Sequence, residues 1–175
     1  MSDTTTHTPE PEEVTAGWLF MTANALGLSD ADLAYVLDVR PDTVRKNWKY
    51  GTAPIAEGVR TDLRKFIAFT DECVDVLVSR AEGIDDPDVI VYPNLRDVPE
   101  GHFAAEYGVT WWDHVAFSAH KRVPELYIGN LMEVATAYDY TPQRELQAVH
   151  DDPSVIALYG PAKRPRRPEP VNRLS

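Results

Sequence analysis

The stretch LSDADLAYVLDVRPDTVRKNWKYGTAPI, residues 28 to 55, decides the architecture. Ser29 precedes a run in which Leu33, Ala34 and Leu37 share one helical face, and a serine there can accept hydrogen bonds from the orphan amides of a helix start. After Val39 and Arg40, Pro41 suits the first position of a following helix, because its missing N–H would have no partner there anyway. Val44 and Trp48, four apart, give this helix a narrow apolar face, and Gly51 closes it. Two short helices around a tight turn are predicted, the second basic on the sides it does not bury.

A helix-turn-helix presents its second helix to the major groove of DNA in this way. With Val44 and Trp48 holding the helix to the core, Asp42, Thr43, Arg45, Lys46, Asn47 and Lys49 are expected on its exposed faces. Arg45 can donate two hydrogen bonds to guanine, Asn47 can read adenine, and Thr43 can touch a thymine methyl or a phosphate. Lys46, Lys49 and Tyr50 read as phosphate contacts, which position without specifying, and Arg40 completes the candidate set. Asp42 repels phosphate, so near DNA it is expected to accept from a cytosine amino group or to orient Arg45. The expected function is sequence-specific binding of double-stranded DNA by a transcriptional regulator, a repressor occupying its operator.

Outward from this segment, Met1 to Glu13 is an acidic arm with three consecutive threonines, expected to lack fixed structure. Trp18, Leu19, Ala23 and Leu26 mark a helix that ends at Gly27. Residues 56 to 82 predict one long helix with Val59, Leu63, Phe66, Ile67, Thr70, Val74, Leu77 and Val78 as its stripe. That is more apolar surface than a helix-turn-helix core needs, so it is expected to meet the C-terminal region or a second subunit. Val89 to Tyr92 predicts a short strand. Thr110 is expected to cap a helix containing Trp111, Trp112, Val115, Ala116 and Phe117, with further helices over residues 130 to 138 and from Thr141. The expected fold is mainly α: a helix-turn-helix domain over 14–83 with its long connecting helix, a small α-rich dimerisation or interaction module with a minor strand over 84–159, and a basic proline-rich tail over 160–175.

The phrases LSDADLAYVLDV and NWKYG resemble the Cro/C1-type (XRE) helix-turn-helix regulators. The spacing from Trp48 to Gly51, the loop TAPIAEGV, the long following helix, VIVYPNL and WWDHVAFSAH resemble the layout of phage anti-CRISPR-associated autorepressors over residues 18 to 122. The resemblance implies a homodimer on an inverted repeat, with the C-terminal region joining the subunits. The acidic arm, the segments after Lys121 and the basic tail depart from that pattern.

The net charge of −11 argues at first against a nucleic-acid partner, since Lys and Arg supply most non-specific DNA affinity. Its distribution reverses the argument. Residues 40 to 65 carry a net of +4 and residues 160 to 175 another +4, whereas 71 to 159 carry −12. The local potential of the presented face is what steers a protein on DNA. Lys163, Arg164, Arg166 and Arg167 in the tail are further candidate DNA contacts, able to lie along a groove as recombinase arms do; a solvated terminus or docking on the acidic body are the alternatives. An interaction protein, such as an antitoxin or a host-directed phage factor whose acidic C-terminal module binds a basic partner, is the rival reading.

Other chemistry is not signalled. Arginine outnumbers lysine 12 to 5, which fits a GC-rich bacterial or phage genome. The single cysteine, Cys73, offers no disulfide partner or thiolate cluster and is expected in the core. His102, His114 and His120 lie near Glu106 and Asp113, but the six-residue step from His114 to His120 points them to different helix faces, so no metal is expected. Trp111 and Trp112 can stack on bases but are expected in the core or a dimer interface. No phosphate loop or Ser/His/Asp arrangement occurs, Asp85–Asp86 and Asp151–Asp152 sit in turn-like segments, and neither an enzyme nor a cofactor is expected. Without an 18-residue apolar run or a leader-like N-terminus, a cytoplasmic location and no membrane association are expected.

Overall fold

The computed structural model describes residues 14–137 and 146–160, and the fold is mainly helical with a small sheet. Thr15 accepts from the Trp18 amide to start α1 (Ala16–Ala25), whose C-terminal turn ends at Gly27 with φ +71°. Ser29 then opens α2 (Asp30–Val36) with a reciprocal capping box. Its hydroxyl accepts from the Asp32 amide at 3.2 Å, and the Asp32 carboxylate accepts from the Ser29 amide at 3.2 Å. Asp38, at φ +55°, turns the chain into a short helix that from Thr43 to its end at Trp48 winds as a π-helix. This wider winding departs from the regular α-helix that the Val44–Trp48 spacing suggests.

The long helix α3 (Val59–Ala81) runs about 35 Å. Val59, Leu63, Phe66, Thr70, Val74, Leu77 and Val78 are buried as expected, while Ile67 is only half-buried. Cys73 joins the buried face. The apolar surplus of α3 is covered within the same chain by α5 (Val109–His120), after strand β1 (Asp88–Val91) and helix α4 (Phe103–Tyr107). Trp111 and Trp112 are both fully buried there. The Trp111 indole donates to Thr70 Oγ1 at 3.0 Å, and the Trp112 indole donates to the Ile90 carbonyl at 2.7 Å. These two bonds satisfy the polar handles of the indoles inside the core. Of the two places expected for Trp111 and Trp112, the core or a dimer interface, the indoles take the core of their own chain.

The helix start assigned to Thr110 is also corrected. Gly108, at φ +109°, occupies the N-cap and Thr110 lies exposed inside the first turn. A Cβ on Gly108 would sit 2.8 Å from an Asp32 carboxylate oxygen, so the close approach of α5 to α2 excludes a side chain there. Tertiary packing replaces the local cap.

Where one minor strand is expected, a parallel pair forms: β1 lies beside β2 (Tyr127–Asn130) with Asp88 opposite Tyr127 and Val91 opposite Asn130. On its other side Asp88 bridges Val155, so β1 sits between two partners. Asn130 accepts from the Met132 and Glu133 amides to start α6 (Leu131–Ala137), and α7 (Leu146–His150) follows. The helix predicted from Thr141 begins outside the described residues. One continuous hydrophobic core runs from Leu19 to Leu158, through both halves that the turn near Gly83 separates.

Candidate nucleic-acid interface

The segment from Arg40 to Tyr50 stands on two anchors. Val44 is fully buried and Trp48 is 3% exposed, so one side of the π-helical segment is fixed to the core. Arg40, Asp42, Arg45, Lys46, Asn47, Lys49 and Tyr50 are all exposed, whereas Thr43 is half-buried. The chain end of the segment is held by backbone: Thr52 donates from its amide to the Asn47 carbonyl at 2.8 Å and from its hydroxyl to the Lys46 carbonyl at 3.1 Å. Thr52 is a positioning residue that the sequence reading missed; a hydroxyl residue directly after the closing Gly51 is the only local sign of it.

Two of the candidate phosphate contacts are engaged on the protein. Lys46 Nζ lies 3.1 Å from Asp42 Oδ2, and Lys49 Nζ lies 3.1 Å from Asp30 Oδ2 and 5.8 Å from the Phe20 ring centroid. In the chain by itself Asp42 pairs with Lys46. Both pairs are solvent-exposed and contribute at most about 1 kcal/mol, so a nearby phosphate can compete for either lysine. Arg45 and Asn47 are exposed on the same segment.

Lys163, Arg164, Arg166 and Arg167 lie outside the described residues. The histidines go to separate places. His102 is 1% exposed and caps α4, its Nδ1 accepting from the Ala104 amide at 3.0 Å. Its ring meets those of Tyr92, Trp112 and Tyr159 edge to face. Burial, with a smaller effect from nearby His150, lowers its pKa to about 3. His120 Nδ1 lies 2.8 Å from the Leu126 carbonyl, and burial lowers the pKa of His114. Among the described residues no group of three or more His, Cys, Asp or Glu side chains is placed to hold a metal ion. Among the same residues, no helix is long and apolar enough to cross a membrane.

Compared with models of known protein families the chain matches none, and no curated protein sequence is significantly similar to it.

Proposed function

We propose that this chain is a sequence-specific DNA-binding regulator that sets the segment Thr43–Trp48 in the major groove and represses by occupying its operator. One observation carries the reading. A short helix following a capped helix and a tight turn buries only Val44 and Trp48, and offers Arg45, Lys46 and Asn47 to solvent. Arginine and asparagine are the side chains suited to bidentate recognition of guanine and adenine, and lysine suits phosphate. The acidic stretch from residue 71 to 159 would limit binding by that part of the chain.

The regulator acts as a homodimer in this reading, since a single short helix contacts only a few base pairs and a two-fold pair reads an inverted repeat. Phe117, Tyr127 and Met132, with Leu95 and Tyr159, are exposed apolar side chains on the C-terminal half available for such a contact. Fluorescence anisotropy with duplexes from the intergenic DNA beside its own gene tests the binding, and light scattering tests the dimer. Saturable binding to one fragment, outcompeting a scrambled duplex, supports the reading. Equal binding to every duplex, or none at low salt, overturns it; a stable protein partner in that case supports the interaction-module alternative.

A further inference from the structure

Behind the turn of the helix-turn-helix lies a cleft of about 390 Å³, open to solvent on one side and bordered by the end of α2, the first half of α3 and the end of α4. That volume is in the range of small-molecule sites, roughly 300–1,000 Å³. Aromatic rings make much of its wall. Phe66 and Phe69 lie 5.3 and 5.2 Å from the Tyr107 ring, and Tyr35 meets Tyr107 edge to face at 6.3 Å. Three carboxylates share the lining, Asp38, Asp62 and Glu106, against one ammonium, Lys65. Lys65 is paired with Asp62 at 3.2 Å, so those two charges offset each other and the lining keeps a net negative charge from Asp38 and Glu106. Glu106 is 7% exposed and accepts from the Tyr35 hydroxyl at 3.0 Å, which brings a carboxylate into the aromatic wall.

We infer that this cleft binds a small organic cation with an aromatic body, an arylalkylammonium in its simplest form. An anion would face a lining of net negative charge, and a neutral ligand would use the rings alone. A cation uses both, through the partly exposed rings of Tyr35 and Phe69 and through the carboxylates. Leu37 and Asp38 belong to the wall and lead into the segment that carries Arg45, so an occupant touches the turn before that segment. The cation therefore acts as an effector of DNA binding, a step that rests on the function proposed above, whereas the binding itself does not.

Calorimetric and NMR titration of the full chain with phenethylammonium, neutral 2-phenylethanol and anionic phenylacetate tests the inference. A ligand of this size should reach a Kd on the order of 1 mM. The neutral analogue should bind roughly fivefold or more weakly, and phenylacetate should not saturate. Asp38→Asn with Asp62→Asn should weaken phenethylammonium roughly fivefold while the chain stays folded, with the melting temperature lowered by no more than about 5 °C, because both side chains are exposed and asparagine tolerates the positive φ of Asp38. Glu106→Gln should act in the same direction; if it fails to fold, the double variant decides. No saturable shift at the lining residues, equal affinity for the three probes, or unchanged affinity in the double variant overturns the cation site. If phenethylammonium binds and no DNA is bound, the cleft assignment stands and the regulatory reading falls. If DNA is bound without cation binding, the reverse holds.

Discussion

Asp42 holds Lys46 one turn along the exposed side of the segment Thr43–Trp48, with the carboxylate 3.1 Å from the ammonium and both side chains about 70% exposed. An exposed pair of this kind adds little stability, but it places a negative charge where a phosphate would have to approach. Asp42→Asn should therefore raise DNA affinity, steepen the salt dependence of log K by up to about one unit as Lys46 is released to phosphate, and leave the melting temperature within a degree or two. Anisotropy titrations at several salt concentrations measure both quantities. Weaker binding, with a preference lost at one base pair, would show instead that Asp42 reads a base.

Arg45 and Lys49 should separate in the same assay. Arg45→Ala should cost about 1–3 kcal/mol on the preferred duplex and relax discrimination at one position, as loss of a bidentate guanine contact does. Lys49→Ala should weaken all duplexes alike and reduce the salt slope by up to about one unit, less in so far as Asp30 already neutralises it. Binding across single-base variants of the operator resolves the two. A uniform loss from Arg45→Ala would remove it from sequence readout.

Gly27 is the glycine whose replacement should hurt folding most. Its φ of +71° is left-handed, and a Cβ there would collide with the backbone carbonyl of Thr110 at the start of α5. Gly27→Ala should destabilise the chain by about 2–4 kcal/mol, combining the left-handed penalty with a backbone clash that no rotamer relieves. Urea unfolding followed by tryptophan fluorescence gives the number. A loss under about 0.5 kcal/mol would mean that α1 and α5 can separate at little cost.

His102 should make folding sensitive to mild acid. Its native pKa is lowered to about 3 by burial, while the unfolded side chain titrates near its ordinary value of 6.5. The unfolded state therefore binds the extra proton between those values, so this contribution to stability is complete above about pH 6.5 and falls by up to about 1.4 kcal/mol per pH unit below it. His150 and His114, also lowered by burial, add to the same slope. His102→Asn keeps a side chain able to cap α4 and removes the titration. Its urea-unfolding free energy should depend less steeply on pH between 6.5 and 5, by roughly the slope of one proton, at the cost of a lower plateau above pH 7. Parallel pH profiles for parent and variant would count against this account of His102.

The local elements were legible because their signals are local. Ser29 and Asp32 lie three apart, Gly27 and Gly51 take the positive φ that helix ends need, and the spacing of Leu33, Val44 and Trp48 states which faces are buried. The exposed set from Arg40 to Tyr50 follows from that burial, since anchoring Val44 and Trp48 turns their neighbours outward. What touches those neighbours is not a local matter. The pairing of Lys49 with Asp30 and the approach of Gly108 to Asp32 join residues 19 and 76 positions apart, and no period in the chain encodes them. Strand β2 escaped notice because YIGN is four residues long with a glycine inside, and it becomes a strand only beside β1. Trp111 and Trp112 read equally well from sequence as core or as interface, since apolar surface records only that something must cover it. The tertiary structure decided between them, by supplying Thr70 and the Ile90 carbonyl as hydrogen-bond partners from the same chain.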